Sequence, residues 1–148
     1  MIVYPNAKIN IGLNVIRKRD DGYHELSSIF YPVLDIYDIL EILPSDKFKI
    51  SCSGINIPGE GNICEKAWKL VNDKFGIGNV KIHLHKQIPI GAGLGGGSTD
   101  GAFTLKALNI LFDLKLSNAQ LEKYALQLGA DCPFFIENTP KYVTGIGE

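Results

Sequence analysis

The chain has 148 residues, of which 45% are hydrophobic and 21% are charged, and its formal net charge is -1 at pH 7. This length and composition are typical of one globular domain that buries its own hydrophobic core. The near-zero net charge gives no overall field that would attract nucleic acid or an anionic membrane, so we expect neither as a partner. Phosphate-bearing ligands must therefore be bound by local groups.

The first residues show no basic start followed by an apolar run, so we expect no signal peptide. No apolar stretch approaches the ~20 residues that a membrane-spanning helix needs. A cytoplasmic location is therefore predicted.

Cysteine and histidine spacing argues against a metal site built from these residues. The three cysteines, Cys52, Cys64 and Cys132, are odd in number and far apart, which predicts buried free thiols in a reducing compartment. His83 and His85 share one face of a predicted strand. No third ligand lies nearby in the sequence, so this face is expected to be solvated.

The first predicted element is a half-buried strand. Residues 7–15 alternate between apolar and polar side chains, the period of two that is typical of such a strand. The apolar set is predicted to be the buried face: Ala7, Ile9, Ile11, Leu13 and Val15. The other face then carries Lys8, Asn10 and Asn14, an unusual grouping of polar side chains.

Further strands are predicted from alternation and β-branched content at 28–33, 36–43, 47–52, 80–85, 134–136 and 142–144. Helices are predicted after the caps Asn62 and Ser117, each followed three residues later by the Glu or Gln of a capping box. A third helix is predicted at about 98–114. Strands come mostly first and helices then pack on one side, so we predict an α+β, two-layer domain.

A glycine-rich run leads from a predicted strand into a predicted helix: Gly91-Ala92-Gly93-Leu94-Gly95-Gly96-Gly97-Ser98-Thr99. Glycine lets a backbone turn tightly enough to direct consecutive N–H groups at one anion, and a following helix adds the positive end of its dipole. Ser98 and Thr99 are predicted at the helix cap, where their hydroxyls could reach phosphate oxygens or a magnesium ion. A short strand-to-helix connection needs no such glycine content, so a phosphate-binding loop is predicted.

Three better-known phosphate loops do not fit this run. No lysine follows the glycines, as a Walker loop requires. Gly91, Gly93 and Gly96 match a dinucleotide-binding fingerprint formally, but the acidic residue expected ~20 residues later would fall in predicted helix and turn. The H-R-D and D-F-G sequences of protein kinases are absent.

The segment 89–100 resembles the ATP-binding loop of the GHMP kinases, which phosphorylate small molecules. Residues 5–10 are similar to the opening motif of that family, 21–26 to a cytidine-side motif of one branch, and 128–135 to the catalytic segment. The resemblance implies the fold of GHMP kinase N-terminal domains, which is shared with domain 2 of ribosomal protein S5.

The resemblance also implies a reaction, in which the γ-phosphoryl of ATP is transferred, with Mg2+, to a hydroxyl of a small molecule. The branch with the triple glycine acts on a diphosphocytidyl-linked methylerythritol in non-mevalonate isoprenoid biosynthesis. By the family pattern Asp131 is the catalytic base and Lys8 its partner. A carboxylate that accepts the hydroxyl proton suffices as a base, and a neighbouring ammonium can steady the developing charge.

Binding residues follow from the same resemblance. Asn10, Tyr23 and His24 would contact the substrate, the last two at its cytosine ring. Lys86 and Asn62 would lie near adenosine, although Asn62 is equally well explained as a helix cap. The loop would supply the rest of the ATP site: Pro89, Ile90, Gly91, Ala92, Gly93, Leu94, Gly95, Gly96, Gly97, Ser98 and Thr99. Among these, Ser98 is the side chain that could contact a metal ion.

Members of the family have a second lobe of similar size, and residues 142–148 resemble the join that leads into it. We therefore expect residues 1–148 to form the N-terminal, ATP-binding domain, with the C-terminal lobe absent and with little or no kinase activity by themselves. Two alternatives stay open: another small-molecule kinase of the family, or a non-catalytic nucleotide- or RNA-binding domain with the S5-like fold. The sequence does not indicate an oligomeric state.

Overall fold

The computed structural model describes residues 1–18, 24–59 and 61–146. The strands in these ranges are β1 (Ile2–Val3), β2 (Asn6–Lys18), β3 (His24–Tyr37), β4 (Ile39–Pro44), β5 (Lys49–Gly54), β6 (Val80–Lys86) and β7 (Lys141–Ile146). They form a four-stranded sheet in the order β1-β4-β6-β5 and a three-stranded sheet in the order β2-β3-β7. The pair β5 and β6 is parallel, whereas the other pairs are antiparallel.

The helices are α1 (Ile63–Phe75), α2 (Gly96–Leu111), α3 (Asn118–Leu128) and the single turn α4 (Phe134–Glu137). The predicted caps of α1 and α3 are confirmed. Asn62 accepts a hydrogen bond from the backbone N–H of Cys64, and Ser117 forms a complete capping box with Gln120. These local signals fix where each helix begins.

The inner face of the four-stranded sheet packs against the helices. β4 and β6 alternate between buried and more exposed residues, as a sheet with one covered face requires. The core where they meet α2 contains large aliphatic side chains that are fully buried: Leu40, Ile42, Ile82, Leu84, Leu105 and Leu108. The predicted α+β class with a sheet layer and a helix layer is confirmed.

Three predicted elements differ from the structure. Residues 134–136 form the helical turn α4 rather than a strand, because Pro133 presets a helical φ and a short apolar run does not distinguish strand from buried helix. The helix predicted at 98–114 is α2, which begins earlier, at Gly96, and ends at Leu111. The strand predicted at 36–43 is interrupted at Asp38, which lies between β3 and β4.

The buried face predicted for β2 is confirmed at Ala7, which is fully buried, but is wrong at Ile9 and Ile11. Ile9 and Ile11 are 40% and 47% exposed, whereas the side chain of Lys8 on the opposite face is 4% exposed. Ile9 pairs with Tyr31 and Ile11 with Ile29, so these side chains form an apolar outer face on the three-stranded sheet. The glycine-rich loop covers Lys8 on the polar face, while Asn10 on the same face is exposed, and this tertiary contact overrides the expected pattern at Lys8.

Within the described residues, no helix combines the length and apolar character needed to cross a membrane. Cys64 and Cys132 are buried free thiols, as predicted, but Cys52 is exposed on β5.

Candidate active site

The glycine-rich loop presents open backbone to a cleft. Gly91, Gly93 and Gly95 have φ angles of 73°, 73° and 72°, in the left-handed region that favours glycine. A Cβ added to Gly91, Gly93 or Gly97 would meet nothing within 4 Å, so a ligand can approach the backbone closely at these positions. The carbonyl of Leu94 accepts a 2.9 Å hydrogen bond from the backbone N–H of Lys8, which fastens the loop to β2.

The loop ends at the N-terminus of α2. The N-cap is Gly95, which has no side chain to bond the first N–H groups, and the helix is 16 residues long. Unsatisfied N–H groups and the positive end of the helix dipole together make an anion site. Ser98 and Thr99 do not sit at the cap as predicted, because they occupy the third and fourth helical positions.

Ser98 and Thr99 have different environments. Ser98 is half-buried and lines the cleft, whereas Thr99 is fully buried and does not line it. Among the residues that the structure describes, the Thr99 hydroxyl has no hydrogen-bond partner. Ser98 is therefore the hydroxyl of this pair that faces a ligand.

The cleft in front of the loop has a volume of about 400 Å³, which suits a small-molecule ligand. It is lined by every residue that the resemblance assigned to ATP, with Thr99 as the exception. Its remaining walls are formed by five further residues: Ile57, Gly61, Ile63, Leu84 and Asp100. Asn62 thus serves both as the cap of α1 and as part of the cleft.

The structure brings together the two residues assigned to catalysis. The Lys8 ammonium lies 3.1 Å from Oδ2 of Asp131, donates a 2.8 Å hydrogen bond to Oδ1 of Asn10, and lies 3.8 Å from the ring centroid of Phe30. The Lys8 side chain is 4% exposed and that of Asp131 is 38% exposed. A buried, fixed ammonium therefore holds an accessible carboxylate at the edge of the loop.

Local structure explains where Asp131 lies. α3 ends at Leu128, and residues 130–133 form turns before α4. The backbone N–H of Cys132 donates to the carbonyl of Gly129 at 3.2 Å, which closes this bend. Phe135 follows it, and a Cβ added to Gly95 would lie 2.9 Å from Cζ of Phe135. The bend is thus packed directly against the glycine-rich loop.

Sequence reasoning missed a buried charge cluster behind the loop. The Lys86 ammonium lies 2.5 Å from Oδ2 of Asp38 and 2.9 Å from Oδ2 of Asp100, and all three side chains are at most 3% exposed. Burial alone would lower the pKa of Lys86, but the carboxylates of Asp100 and Asp38 raise it above its ordinary value. The available signal was Asp38 itself, an acidic residue with Tyr37 before it and Ile39 and Leu40 after it.

Burial in this cluster changes the pKa of Asp100. Burial raises its pKa from 3.8 to about 8; the Lys86 charge opposes the shift and the Asp38 charge adds to it. A buried acid with a raised pKa resists ionisation because its charged form is poorly solvated.

We expect the contribution of Asp100 to the free energy of unfolding to fall as the pH rises from about 4 toward 8. Because the folded chain then holds a proton on Asp100 that the unfolded chain has released, raising the pH favours unfolding. Urea denaturation of wild type and Asp100→Asn at several pH values measures this effect. The variant should gain stability relative to wild type as the pH rises, and parallel curves would show that Asp100 does not titrate in this way.

Alanine substitutions at two glycines of the loop should change the free energy of unfolding by different amounts. Gly95→Ala places a Cβ 2.9 Å from Cγ of Lys8 at a positive φ, so we expect it to lower the free energy of unfolding by about 1–3 kcal/mol. Gly97→Ala is the matched control, since its Cβ meets nothing within 4 Å and Gly97 lies in a helix. Thermal denaturation compares them, and equal stabilities would contradict the described packing of the loop.

Some predicted site features lie beyond the described structure. Tyr23 is outside the described residues, and so is the side chain of His24, so their assignment to the cytosine ring stays a prediction. Within the described part of the chain, no group of three or more His, Cys, Asp or Glu side chains could hold a metal ion. His83 instead lies 2.8 Å from the hydroxyl of Ser51.

Comparisons with known proteins identify the class to which this fold and loop belong. A family model described as the GHMP kinases N terminal domain matches residues 62–138. The chain belongs to the GHMP kinase family. The matched range includes the glycine-rich loop, α2 and the bend that carries Asp131.

Individual relatives point to one branch. The chain is 54% identical over 141 residues to the 4-diphosphocytidyl-2-C-methyl-D-erythritol kinase of Cytophaga hutchinsonii, a match that spans 94% of this chain and 52% of the relative. It is 52% identical over 153 residues to the protein of the same name from Bacteroides thetaiotaomicron, spanning 99% of this chain and 56% of that one. The chain therefore spans about half the length of these curated relatives.

Solved structures agree with this fold. A crystal structure of 4-(cytidine 5'-diphospho)-2C-methyl-D-erythritol kinase superposes with a TM-score of 0.85 at 38% identity, covering 100% of this chain and 53% of that one. The Methanococcus jannaschii mevalonate kinase superposes with a TM-score of 0.72 at 19% identity, covering 97% of this chain and 53% of that one. The second likeness concerns the fold alone.

Proposed function

We propose that this chain is the nucleotide-binding part of a kinase that transfers the γ-phosphoryl of ATP to the 2-hydroxyl of 4-diphosphocytidyl-2-C-methyl-D-erythritol, in non-mevalonate isoprenoid biosynthesis. The observation that carries the proposal is the ion pair between Lys8 and Asp131, held beside a glycine-rich loop at a helix N-terminus. The names of the relatives from Cytophaga hutchinsonii and Bacteroides thetaiotaomicron support the choice of substrate.

The residues present fit the triphosphate of ATP. Gly91, Gly93 and Gly97 leave open space in front of the backbone, and the uncapped N-terminus of α2 offers unpaired N–H groups. Mg2+, when bound with the nucleotide, would neutralise part of the phosphate charge. Ser98 is the hydroxyl that we propose as its contact on this chain, since it lines the cleft.

The side chains of the site have distinct roles in this proposal. The Asp131 carboxylate accepts the proton of the attacking 2-hydroxyl, which needs only positioning and a free oxygen. The Lys8 ammonium, held by Asn10, fixes the orientation of that carboxylate and stabilises negative charge as it develops. Asn10, Tyr23 and His24 are proposed to contact the substrate.

Residues 1–148 are proposed to form the N-terminal domain of this kinase. The relatives are about twice as long as the matched segment, so we propose that their second half completes the substrate cleft. The 148-residue chain by itself should then show little turnover, although it carries the phosphate-binding loop. Its proposed location is the cytoplasm.

The direct test supplies ATP, Mg2+ and the diphosphocytidyl substrate to two proteins. One is the chain ending at Glu148, and the other is that chain joined to the second half of the Cytophaga hutchinsonii relative, with the intact relative as a positive control. We expect turnover at least about 100-fold higher for the longer protein, since completion of the cleft provides positioning. Mevalonate and homoserine serve as alternative acceptors.

Two results would contradict the proposal in different ways. Comparable turnover by the chain ending at Glu148 would show that it needs no second half. Phosphorylation of mevalonate or homoserine in place of the diphosphocytidyl substrate would assign the chain to another branch of the family. Competition by cytidine diphosphate adds a further check, because it should inhibit only an enzyme with a cytidine site.

A further inference from the structure

The entrance to the glycine-rich loop is held by one buried carboxylate. Oδ1 of Asp38 accepts hydrogen bonds from the backbone N–H groups of Gln87, at 2.5 Å, and Ile88, at 2.9 Å. These two residues follow β6, and only Pro89 and Ile90 separate them from Gly91, where the loop begins. Asp38 is fully buried, and its other oxygen accepts from the Lys86 ammonium. Asp38 therefore fixes the path of the backbone as it leaves the sheet.

The exit from the loop meets the same ammonium. Lys86 donates a 2.9 Å hydrogen bond to Oδ2 of Asp100, which lies in the second turn of α2. Gly96, the first residue of that helix, packs so closely on Lys86 that a Cβ there would lie 2.8 Å from Nζ. The strand before the loop and the helix after it are thus joined through one side chain.

We propose that Asp38, Lys86 and Asp100 form an internal clamp that joins the two ends of the glycine-rich loop and holds it in the conformation that receives the triphosphate. Asp38 and Asp100 are positioning residues, because they act through Lys86 and the backbone. The identity of the ligand rests on the proposed function, whereas the effect on loop conformation does not.

General energetics favour a role in positioning over one in stability alone. Burying three ionisable side chains carries a large desolvation penalty, and apolar side chains of similar volume often stabilise a core equally well. A loop whose ends are fixed, by contrast, loses less conformational entropy when it binds a ligand, which strengthens binding. The loop's five glycines would otherwise make its unbound conformations numerous.

The first test measures ATP affinity calorimetrically on the 148-residue chain and four variants. Asp38→Asn and Asp100→Ala should each weaken ATP binding by about tenfold or more, because a loosened loop must be ordered on binding. Asp100→Asn keeps an oxygen that can accept from Lys86, so its affinity should stay within about threefold of wild type. Val71→Ala, in α1, is the matched control for lost stability, since it removes core contacts away from the cleft.

The second test needs no ligand and reports on the loop directly. The N–H of Lys8 bonds to Leu94, and the N–H of Thr99 bonds to Gly95, so their hydrogen exchange reports how firmly the loop is docked. Both amides should exchange faster in Asp38→Asn and Asp100→Ala than in Val71→Ala, compared at equal global stability.

The outcomes separate the clamp from the proposed function. If Asp38→Asn and Asp100→Ala bind ATP as tightly as wild type and their two amides exchange as in Val71→Ala, the clamp is refuted. If the folded wild type binds no ATP but the amides respond as expected, the proposed function fails while the clamp stands. If Asp100→Ala fails to fold, comparing the ATP affinity and amide exchange of Asp38→Asn with those of Val71→Ala still tests the clamp.

Discussion

Replacing Lys86 with methionine should lower the free energy of unfolding by about 3–5 kcal/mol. Methionine keeps most of the side-chain volume but removes the ammonium that faces Asp38 and Asp100, both of which are essentially fully buried. Asp38 and Asp100 are then left in a poorly solvated site without the cation that bonds to both of them. Thermal denaturation at neutral pH should show a decrease in Tm of about 10–20 °C.

The matched control is Lys81→Met on the same strand. Lys81 is exposed, so its replacement should change the free energy of unfolding by less than about 0.5 kcal/mol. Adding Asp100→Asn to Lys86→Met should recover part of the loss, because it removes one of the two buried acidic groups. Equal Tm values for Lys86→Met and Lys81→Met would show that the buried cluster does not depend on its cation.

Replacing Asp131 with asparagine should reduce phosphoryl transfer by about 10²–10⁴-fold in the longer protein that includes the second half of the Cytophaga hutchinsonii relative. Asparagine keeps the size of the side chain and its hydrogen bond to Lys8 but cannot accept the hydroxyl proton. Because Asp131 does not line the cleft in front of the loop, affinity for ATP should be nearly unchanged. Steady-state kinetics should therefore show a loss in kcat with little change in KM for ATP.

Asp113→Asn provides the control for this experiment. Asp113 is 82% exposed, so its replacement should leave both kinetic parameters at wild-type values. Wild-type kcat in Asp131→Asn would contradict the role of Asp131 as base. A selective rise in KM for ATP would instead assign Asp131 to nucleotide binding.

The glycine-rich loop and the helix caps could be predicted from the sequence because their signals are local. A glycine at positive φ, or Asn62 bonded to an N–H two residues away, depends on neighbours along the chain. The buried side of β2 could not be predicted in this way. Alternation shows which residues share a face, but whether Lys8 or Ile9 is covered depends on distant segments.

The buried charge cluster could be predicted from the sequence even less than the buried side of β2. Asp38 lies between β3 and β4, Lys86 ends β6 and Asp100 is in α2, so their meeting is a property of the packed fold. Asp131 was assigned through a family resemblance, since an aspartate near a proline is by itself typical of a turn. Its 3.1 Å approach to Lys8 became visible only in three dimensions.

The most direct test of the nucleotide-binding site is calorimetric titration of the folded 148-residue chain with ATP and, separately, with adenosine. If the loop and the N-terminus of α2 bind the phosphates, ATP should bind at least about tenfold more tightly than adenosine. Gly97→Ala should weaken ATP but not adenosine, because its methyl group projects into the open space before the loop. Equal affinity for ATP and adenosine, or no binding of ATP by the folded chain, would contradict the assignment of this loop to phosphate binding.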